Sequence, residues 1–486
     1  MPIRKVTTKV LYVSSECYPL AKTGGLGDVV GALPLALEPL GVDTRVFMPA
    51  YPGTIDALVR PKVVGTLKQL FGGAARVISG TTVDGLKLLL LDATHLYDRG
   101  GGPYSDASGA DWVDNDARFA ALSFAAAQLA QGALGRWRPD IVHAHDWQAG
   151  LTAAYLRFAG AATPTVLTIH NLAFQGVFPA SRLTELELPA ASYNTDGLEF
   201  HGQISMLKAG LVYSDVVTTV SPTYAQEIRG PRDGAGMDGV LAALRRPPIG
   251  IINGIDETVW NPATDSRIAA RLIDDIGAFK AANAQALRAE FGLDPTTSAP
   301  LFGVVSRLSQ QKGFDLLIDV LPQLLQRAQL VVLGSGDREI EAALLRAAKA
   351  APGRIGVRIG YDEHLAHRIQ AGSDVILVPS RFEPCGLTQL CALRYAALPV
   401  VTRVGGLADT VIDANTAAVT DGVATGFVFA PVTSEAFSWA LERVFALWNM
   451  PDIWNQLRRR AVTRDVSWKV PAVRYNELYD SLMVTN

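Results

Sequence analysis

Short apolar runs rich in β-branched residues alternate along the chain with longer segments of helical periodicity. In the first half these runs predict strands at 9–14, 44–48, 88–91, 141–144, 166–169 and 216–220. The longer segments predict helices at 28–40 and 147–158, and an Ala-rich buried helix within 119–135. Strands that alternate with helices are typical of a parallel sheet covered on both faces.

The same alternation begins again in the second half, where strands are predicted at 301–306, 330–333, 355–359, 375–378 and 400–402 and helices at 314–326 and 339–349. Between the halves, Pro247-Pro248 and Asn253-Gly254 are typical of a hinge. We therefore predict an α/β fold with two Rossmann-like doubly wound domains, 1–250 and 251–469, facing a central cleft. An amphipathic segment follows at 473–482.

Composition narrows the choice of partners. The chain has 486 residues and a net charge of -3, which does not indicate bulk attraction to nucleic acid. Its three cysteines, Cys17, Cys385 and Cys391, show no CxxC spacing, so we expect no disulfide or zinc site and a cytoplasmic location. The early apolar run soon meets Glu16, unlike a signal peptide, and the longest uncharged stretch is short for a membrane span, so no membrane partner is expected.

A glycine turn follows the first predicted strand, with Lys22 before it and Asp28 after it. Gly24 and Gly25 allow close approach of the backbone to a ligand, and exposed amides at a helix start suit phosphate oxygens. The alternative is an ordinary turn with a solvated lysine. The segment matches neither the GxGxxG nor the P-loop pattern, so dinucleotide or P-loop chemistry does not follow.

Polar residues end two later strands, and these ends meet at one edge of a parallel sheet. Asp146 could line the site or cap the next helix, and His170 could serve catalysis or the core. We expect the rings of His143 and His145 to lie on opposite faces of their strand, which argues against a shared metal ion.

Two cations follow the first strand of the second half. Arg307 and Lys312 could hold one diphosphate in place of Mg²⁺, or could be surface cations. No carboxylate cluster indicates a metal site.

Glu383 precedes the segment 385–388, in which a helix is predicted to start near Leu387 with free amides that suit phosphate. The Glu383 carboxylate could accept hydrogen bonds from sugar hydroxyls or cap the helix. Cys385 and Cys391 are interpreted as buried apolar residues. A further glycine turn at 405–410 could also line the cleft.

Together these segments resemble the family of ADP-glucose-using bacterial glycogen synthases and plant starch synthases. The matching stretches, in the order of the family and spanning nearly the whole chain, are 22–28, 143–147, 168–171, 253–256, 306–313 and 379–389, with 260–262 and 466–468. The combination of Lys-Thr-Gly-Gly-Leu with Glu-Pro-Cys-Gly-Leu-Thr-Gln is highly specific.

The resemblance implies the GT-B arrangement and transfer of glucose from ADP-glucose to the non-reducing 4-hydroxyl of an α-1,4-glucan, with retention and without a cofactor or metal. It implies catalytic roles for Glu383 on glucose hydroxyls, His170 at the anomeric centre, and Lys22, Arg307 and Lys312 near the donor. Asp146 is expected near the acceptor. The substrate-binding set is completed by Gly24, Gly25, Asp28, Asn171, Asn253, Cys385, Gly386, Leu387 and Thr388. The resemblance further implies a C-terminal helix, about 470–486, packed on an acceptor-side N-terminal domain, the C-terminal domain binding the nucleotide sugar.

One position departs from other retaining transferases of this fold. Eight residues after Glu383 they often carry a second glutamate, and here that residue is Cys391, which leaves the ribose contact without a candidate. No paired carboxylates suit a glycosidase-like double displacement. A front-face route, in which the departing phosphate oxygen accepts the proton of the incoming hydroxyl, needs no protein nucleophile.

Three alternatives stay open at this point. A transferase that uses UDP-glucose fits the same motifs, because nothing in them selects the base. A non-catalytic glucan-binding protein would not need Arg307, Lys312 and Glu383. A nicotinamide oxidoreductase would need the missing GxGxxG pattern.

Overall fold

The computed structural model describes residues 7–484, which form two compact units. Unit 1 contains the described residues up to Asn253 and those from Trp468 onward, and unit 2 is Gly254–Ser467. The division lies beside the boundary predicted near residue 250. Both units are built on parallel strands that alternate with helices, so the predicted α/β fold class with two Rossmann-like domains is confirmed.

The described part of unit 1 has twelve strands, of which nine form the main sheet in the order β12-β11-β7-β6-β1-β2-β5-β4-β3. The strands are β1 (Thr8–Val13), β2 (Val42–Pro49), β3 (Val59–Leu70), β4 (Gly73–Thr81), β5 (Lys87–Asp92), β6 (Ile141–His145), β7 (Thr165–Ile169), β8 (Val177–Pro179), β9 (Glu199–Phe200), β10 (Gln203–Ser205), β11 (Val216–Thr219) and β12 (Ile249–Gly250). Strands β8 to β10 form a small antiparallel sheet of their own.

The helices of unit 1 that precede the boundary are α1 (Gly25–Leu37), α2 (Thr94–Tyr97), α3 (Asn115–Ala130), α4 (Leu151–Phe158), α5 (Met206–Tyr213), α6 (Pro222–Glu227) and α7 (Asp238–Ala243). The seven strands from β12 to β5 pair in parallel, whereas β4 and β3 extend the sheet as an antiparallel hairpin. The sequence did not reveal this hairpin because β3 is mostly exposed and carries no apolar run.

Unit 2 contains a six-stranded parallel sheet in the order β15-β14-β13-β16-β17-β18. Its strands are β13 (Leu301–Val305), β14 (Gln329–Gly334), β15 (Ile355–Ile359), β16 (Val375–Val378), β17 (Leu398–Thr402) and β18 (Phe427–Phe429). Its helices are α8 (Ile276–Phe291), α9 (Phe314–Arg327), α10 (Arg338–Ala350), α11 (Glu363–Gly372), α12 (Thr388–Arg394), α13 (Gly405–Thr410), α14 (Thr416–Thr420), α15 (Ser434–Trp448) and α16 (Pro451–Thr463).

Successive strand residues of unit 2 pack into two different cores, as the period of a strand requires. Val375 and Leu377 belong to one core, while Ile376 and Val378 belong to the other. Both faces of the sheet are therefore buried, and polar side chains are left to the strand ends.

The last helix, α17 (Lys469–Val484), belongs to unit 1. Tyr475 and Tyr479 are completely buried in the core of that unit. The Tyr479 hydroxyl lies 2.8 Å from the hydroxyl of Tyr12 on β1. None of the helices within residues 7–484 is long and apolar enough to cross a membrane.

Gly313 brings two loops of unit 2 together. It precedes α9 with a φ of 70°, and a Cβ atom there would lie 1.9 Å from the carbonyl oxygen of Pro379. Gly292, at the end of α8, has a similar φ of 63° but open space around the same position.

We predict that Gly313→Ala lowers the free energy of unfolding by about 2 kcal/mol or more beyond the loss caused by Gly292→Ala. Both substitutions place a side chain on a residue with a left-handed backbone conformation, which costs about 1–2 kcal/mol. Only Gly313→Ala also forces a backbone oxygen to move. For a unit of this size the difference corresponds to about 4–8 °C in melting temperature, measured by calorimetry. Equal melting temperatures for the two variants would contradict the close approach at Gly313.

Candidate active site

Glu16 holds the glycine loop that follows β1. It is 3% exposed, and its Oε2 accepts hydrogen bonds from the backbone N–H groups of Thr23 at 2.6 Å and Gly24 at 3.2 Å. Its Oε1 accepts from Thr23 Oγ1 at 2.5 Å and from the hydroxyl of Tyr104. Glu16 was not predicted from the sequence, although its position just beyond a strand end was a usable signal.

Tyr104 reaches Glu16 because a buried arginine organises the loop before α3. Arg118 is 1% exposed and donates to the carbonyl oxygens of Leu96 and Pro103 and to Asn115 Oδ1. Asn115 in turn donates to the carbonyl oxygen of Tyr104 at 2.9 Å. No motif in the sequence pointed to Tyr104, since its position depends on these distant contacts.

Lys22 and Asp28 form an ion pair across the same loop, with Nζ and Oδ1 2.8 Å apart. Asp28 lies in the first turn of α1, where a negative charge is favourable. Gly24 and Gly25 are exposed, and a Cβ atom on Gly24 would meet open space. The lysine is therefore held beside the glycine turn rather than extended into solvent.

Asp146 at the end of β6 binds the end of β7. Its Oδ1 accepts from the backbone N–H of His170 at 2.6 Å and of Asn171 at 3.4 Å, and its side chain makes no capping hydrogen bond to the next turn. The capping alternative is therefore wrong. Burial, with a smaller contribution from the charge of Glu16, raises the pKa of Asp146 to about 7, although the two backbone hydrogen bonds oppose the shift.

His143 and His145 lie on one face of β6, not on opposite faces as we expected from the sequence. Their ring centroids are 4.4 Å apart and the rings are stacked. The expectation was wrong because residues two apart in a strand point to the same side. His145 Nδ1 lies 3.0 Å from His170 Nε2, and His143 bonds Tyr479 and Thr168. Burial lowers the pKa values of His143 and His170 to about 3.

Two asparagines complete the predicted set in unit 1. Asn171 Oδ1 accepts from the backbone N–H of Ala173 at 3.0 Å, so this side chain shapes the turn after β7. Asn253 is 5% exposed, and its Oδ1 has no hydrogen-bond partner among residues 7–484.

In unit 2, Lys312 and Glu383 are joined directly. Their Nζ and Oε2 atoms lie 2.5 Å apart, and the hydroxyl of Ser380 donates to the same carboxylate oxygen at 2.9 Å. Glu383 is 6% exposed and provides no cap to α12, whose capping residue is Leu387. The helix-capping alternative for Glu383 is therefore wrong.

Arg307 differs from Lys312 in having no ion pair. It is exposed just beyond the end of β13, and its side chain makes no hydrogen bond or salt bridge to another described residue. Of the two predicted cations, Lys312 is therefore paired with a carboxylate, whereas Arg307 is available to bind an external anion.

The glycine turn at 405–406 supports Glu383 from behind. Gly406 N–H donates to the carbonyl oxygen of Glu383 at 3.1 Å, and a Cβ atom on Gly405 would lie 1.9 Å from that oxygen.

Cys385 is buried, and the half-buried Gly386, Leu387 and Thr388 lead into α12. The first amides of a helix have no intrahelical acceptor, so this segment can bind an anion. In the described part of the chain, no three His, Cys, Asp or Glu side chains are grouped to hold a metal ion.

Two family models match separate parts of the chain. The family model for the starch synthase catalytic domain matches residues 9–243, and the model for glycosyl transferases group 1 matches 288–460. A glycogen synthase of Rhodopseudomonas palustris (strain BisB18) is 54% identical over 97% of both chains. A glycogen synthase of Roseobacter denitrificans is 53% identical over 98% of this chain and 99% of the relative.

Solved structures give the same result. The catalytic domain of starch synthase IV from Arabidopsis thaliana, solved with ADP and acarbose, has a TM-score of 0.88 and 32% identity over 98% of this chain and 99% of its own. A sucrose-phosphate synthase of Thermosynechococcus elongatus, at 19% identity with a TM-score of 0.62, shares the fold. The chain is a glycosyltransferase of the glycogen and starch synthase family.

Proposed function

We propose that this protein transfers glucose from ADP-glucose to the non-reducing 4-hydroxyl of an α-1,4-glucan, with retention at the anomeric carbon. The observation that carries the proposal is the buried Glu383, paired with Lys312 and close in sequence to the amides of 385–388, with the unpaired Arg307 on an adjoining loop. The solved starch synthase relative was bound to ADP and acarbose, a nucleotide and a sugar ligand.

The donor contacts follow from these charges. Arg307 is free to bind the diphosphate with its planar fork, and Lys312 adds a second positive charge beside it. Because Ser380 and Lys312 both bind one oxygen of Glu383, its other oxygen, Oε1, is left for glucose hydroxyls. Gly386, Leu387 and Thr388 contribute amides to phosphate, and Cys385 fills the space beneath them.

The glycine loop of unit 1 is a separate candidate for contact with the sugar nucleotide. Gly24 and Gly25 bring the exposed backbone close to the sugar nucleotide, and Lys22, steadied by Asp28, adds positive charge. Asn253, with its unpartnered carbonyl oxygen, is a further candidate for a substrate contact.

The acceptor proton is not removed by a histidine in this scheme. His170 has a pKa of about 3 because it is buried, so its ring is a weak base at neutral pH. The departing phosphate oxygen accepts that proton instead, while His170 supports the anomeric centre and Asp146 and Asn171 fix the acceptor side. Charge on the leaving diphosphate grows in the transition state, where Arg307 and Lys312 stabilise it.

The donor is assigned to ADP-glucose rather than UDP-glucose because the chain belongs to the glycogen and starch synthase family. Its three cysteines are buried and form no disulfide in the described part of the chain, which suits a reducing compartment such as the cytoplasm.

The direct test measures nucleotide release in the presence of glycogen with either donor. We expect turnover with ADP-glucose, lengthening of the glucan, and an α-linked product seen by NMR. A large preference for UDP-glucose would overturn the assignment of the donor. Glycogen binding without ADP release would indicate a binding protein, and NAD(H) binding would indicate an oxidoreductase.

We predict that Glu383→Ala lowers kcat at least about 100-fold while the fold is retained, because the sugar loses a buried acceptor and Lys312 loses its partner. Glu290→Ala is the matched control. Glu290 also pairs with a cation of unit 2, Arg368, at 2.8 Å, but on an exposed surface. It should leave kcat within about twofold.

Lys312→Ala combined with Glu383→Ala completes a double-mutant cycle. If the ion pair acts as a unit, the double variant loses much less than the product of the single losses. Near-normal activity of Glu383→Ala would remove this residue from the site.

We predict that the stability of the wild type, relative to Asp146→Asn, falls as the pH rises. The folded pKa of Asp146 is about 7 and the ordinary value is 3.8, so the stabilising contribution of the protonated form is fully present below 3.8 and is lost as the pH rises through 7. The difference in unfolding free energy should fall by about 1.4 kcal/mol per pH unit between about pH 5 and 6.5. A difference that is constant between pH 5 and 8 would contradict the raised pKa.

A further inference from the structure

His145 connects two other buried histidines. Its ring stacks on His143, with centroids 4.4 Å apart, and its Nδ1 lies 3.0 Å from His170 Nε2. Both His143 and His145 are 0% exposed, and His170 is 9% exposed. Burial lowers the pKa of all three, so each ring is neutral near pH 7 and carries one N–H.

The contact between His145 and His170 contains one hydrogen, which belongs to one ring or the other. His145 Nε2 is buried and has no hydrogen-bond partner among the described residues. If His145 carried its hydrogen there, an N–H group would be buried without an acceptor, which is rarer and more costly than an unused lone pair. The hydrogen of His145 is therefore on Nδ1.

This assignment fixes the state of His170. Since His145 Nδ1–H donates, His170 Nε2 accepts and must be bare, and the single hydrogen of His170 is on Nδ1. His170 Nδ1 makes no hydrogen bond to another described residue, and unlike His145 Nε2 it is not sealed from solvent.

We propose that His145 is a positioning residue that locks His170 in the Nδ1–H tautomer, so that this N–H donates a hydrogen bond to an oxygen of the transferred glucose. The proposal rests on the proposed function for the identity of the sugar. It gives His170 the part of a neutral donor with a fixed direction. No proton is transferred to or from the ring.

His143 and the terminal helix hold His145 in place. His143 uses both ring nitrogens, Nδ1 with the Tyr479 hydroxyl at 2.7 Å and Nε2 with Thr168 Oγ1 at 2.6 Å. The ring of Tyr12 lies 4.8 Å from the rings of both His143 and His145. His145 is thus confined between two rings whose own orientations are fixed.

The wild-type protein already provides a test. The chain has seven histidines, so selective ¹⁵N labelling gives few signals, and His170→Gln assigns the signal of His170. The one-bond and two-bond ¹H–¹⁵N correlations distinguish an Nδ1–H from an Nε2–H ring. We expect Nδ1–H for His170 in the free protein. An Nε2–H tautomer overturns the proposal, and this result does not depend on turnover or on the activity of any variant.

Two substitutions of His145 separate positioning from simple filling of space. His145→Asn keeps an amide N–H near the place of Nδ1, whereas His145→Leu keeps bulk without a donor. We expect His145→Asn to preserve the tautomer of His170 and to keep kcat within about fivefold of the wild type. We expect His145→Leu to mix the two tautomers and to lower kcat about 10- to 100-fold, with KM for the donor changed less than about threefold.

Equal kcat values for the two variants, or an unchanged His170 tautomer in His145→Leu, would overturn the proposal. If the wild type shows the expected tautomer but does not release ADP from ADP-glucose with glycogen, the proposed function fails instead. The assignment of a glucose oxygen as the acceptor of the His170 N–H would then be wrong as well, but the fixed tautomer of His170 would not be affected.

Discussion

Three buried carboxylates, two in unit 1 and one in unit 2, hold the loops at the carboxyl ends of the parallel strands. Glu16, Asp146 and Glu383 are 3%, 7% and 6% exposed, and each accepts hydrogen bonds from a neighbouring loop. A buried carboxylate is costly unless such donors surround it, so each loop is held to the geometry that supplies them. The apolar sheet cores place the strand ends, and the carboxylates then fix the backbone within those ends.

The glycine turns, which look alike in sequence, serve different purposes. Gly405 and Gly406 are required by the protein itself, because any side chain there would strike the backbone of 383–385. Gly24 is different, since its φ of -158° is open to any residue and a Cβ atom would meet nothing. The described residues give no reason for glycine at that position, and the proposed close approach of a ligand would supply one.

The sequence predicted what depends on local pattern. The strands at 355–359 and 375–378 match the structure residue for residue. The second is a buried apolar run, and the first is a short segment that is buried only at its start. The hairpin of β3 and β4 has no such pattern and was missed. Contacts between distant segments were also missed, since the Glu383–Lys312 pair and the reach of Tyr104 to Glu16 arise only when separate loops meet. For His143 and His145 the sequence held the answer, and the strand period was misapplied.

In the proposed mechanism the buried polar side chains orient groups and do not transfer protons. A catalytic base needs a pKa near the working pH, and burial removes His143 and His170 from that range. Burial also fixes the orientation and tautomer of each ring. A neutral imidazole has one N–H donor and one bare nitrogen that accepts, so one assigned hydrogen bond determines the role of both nitrogens. Contacts run from Tyr479 to His143, then through the stacked ring of His145 to His170 at the strand end. Each of these rings is oriented by a partner. In the proposed reaction the leaving group accepts the proton, and the barrier is lowered by preorganised dipoles rather than by acid–base exchange with the protein.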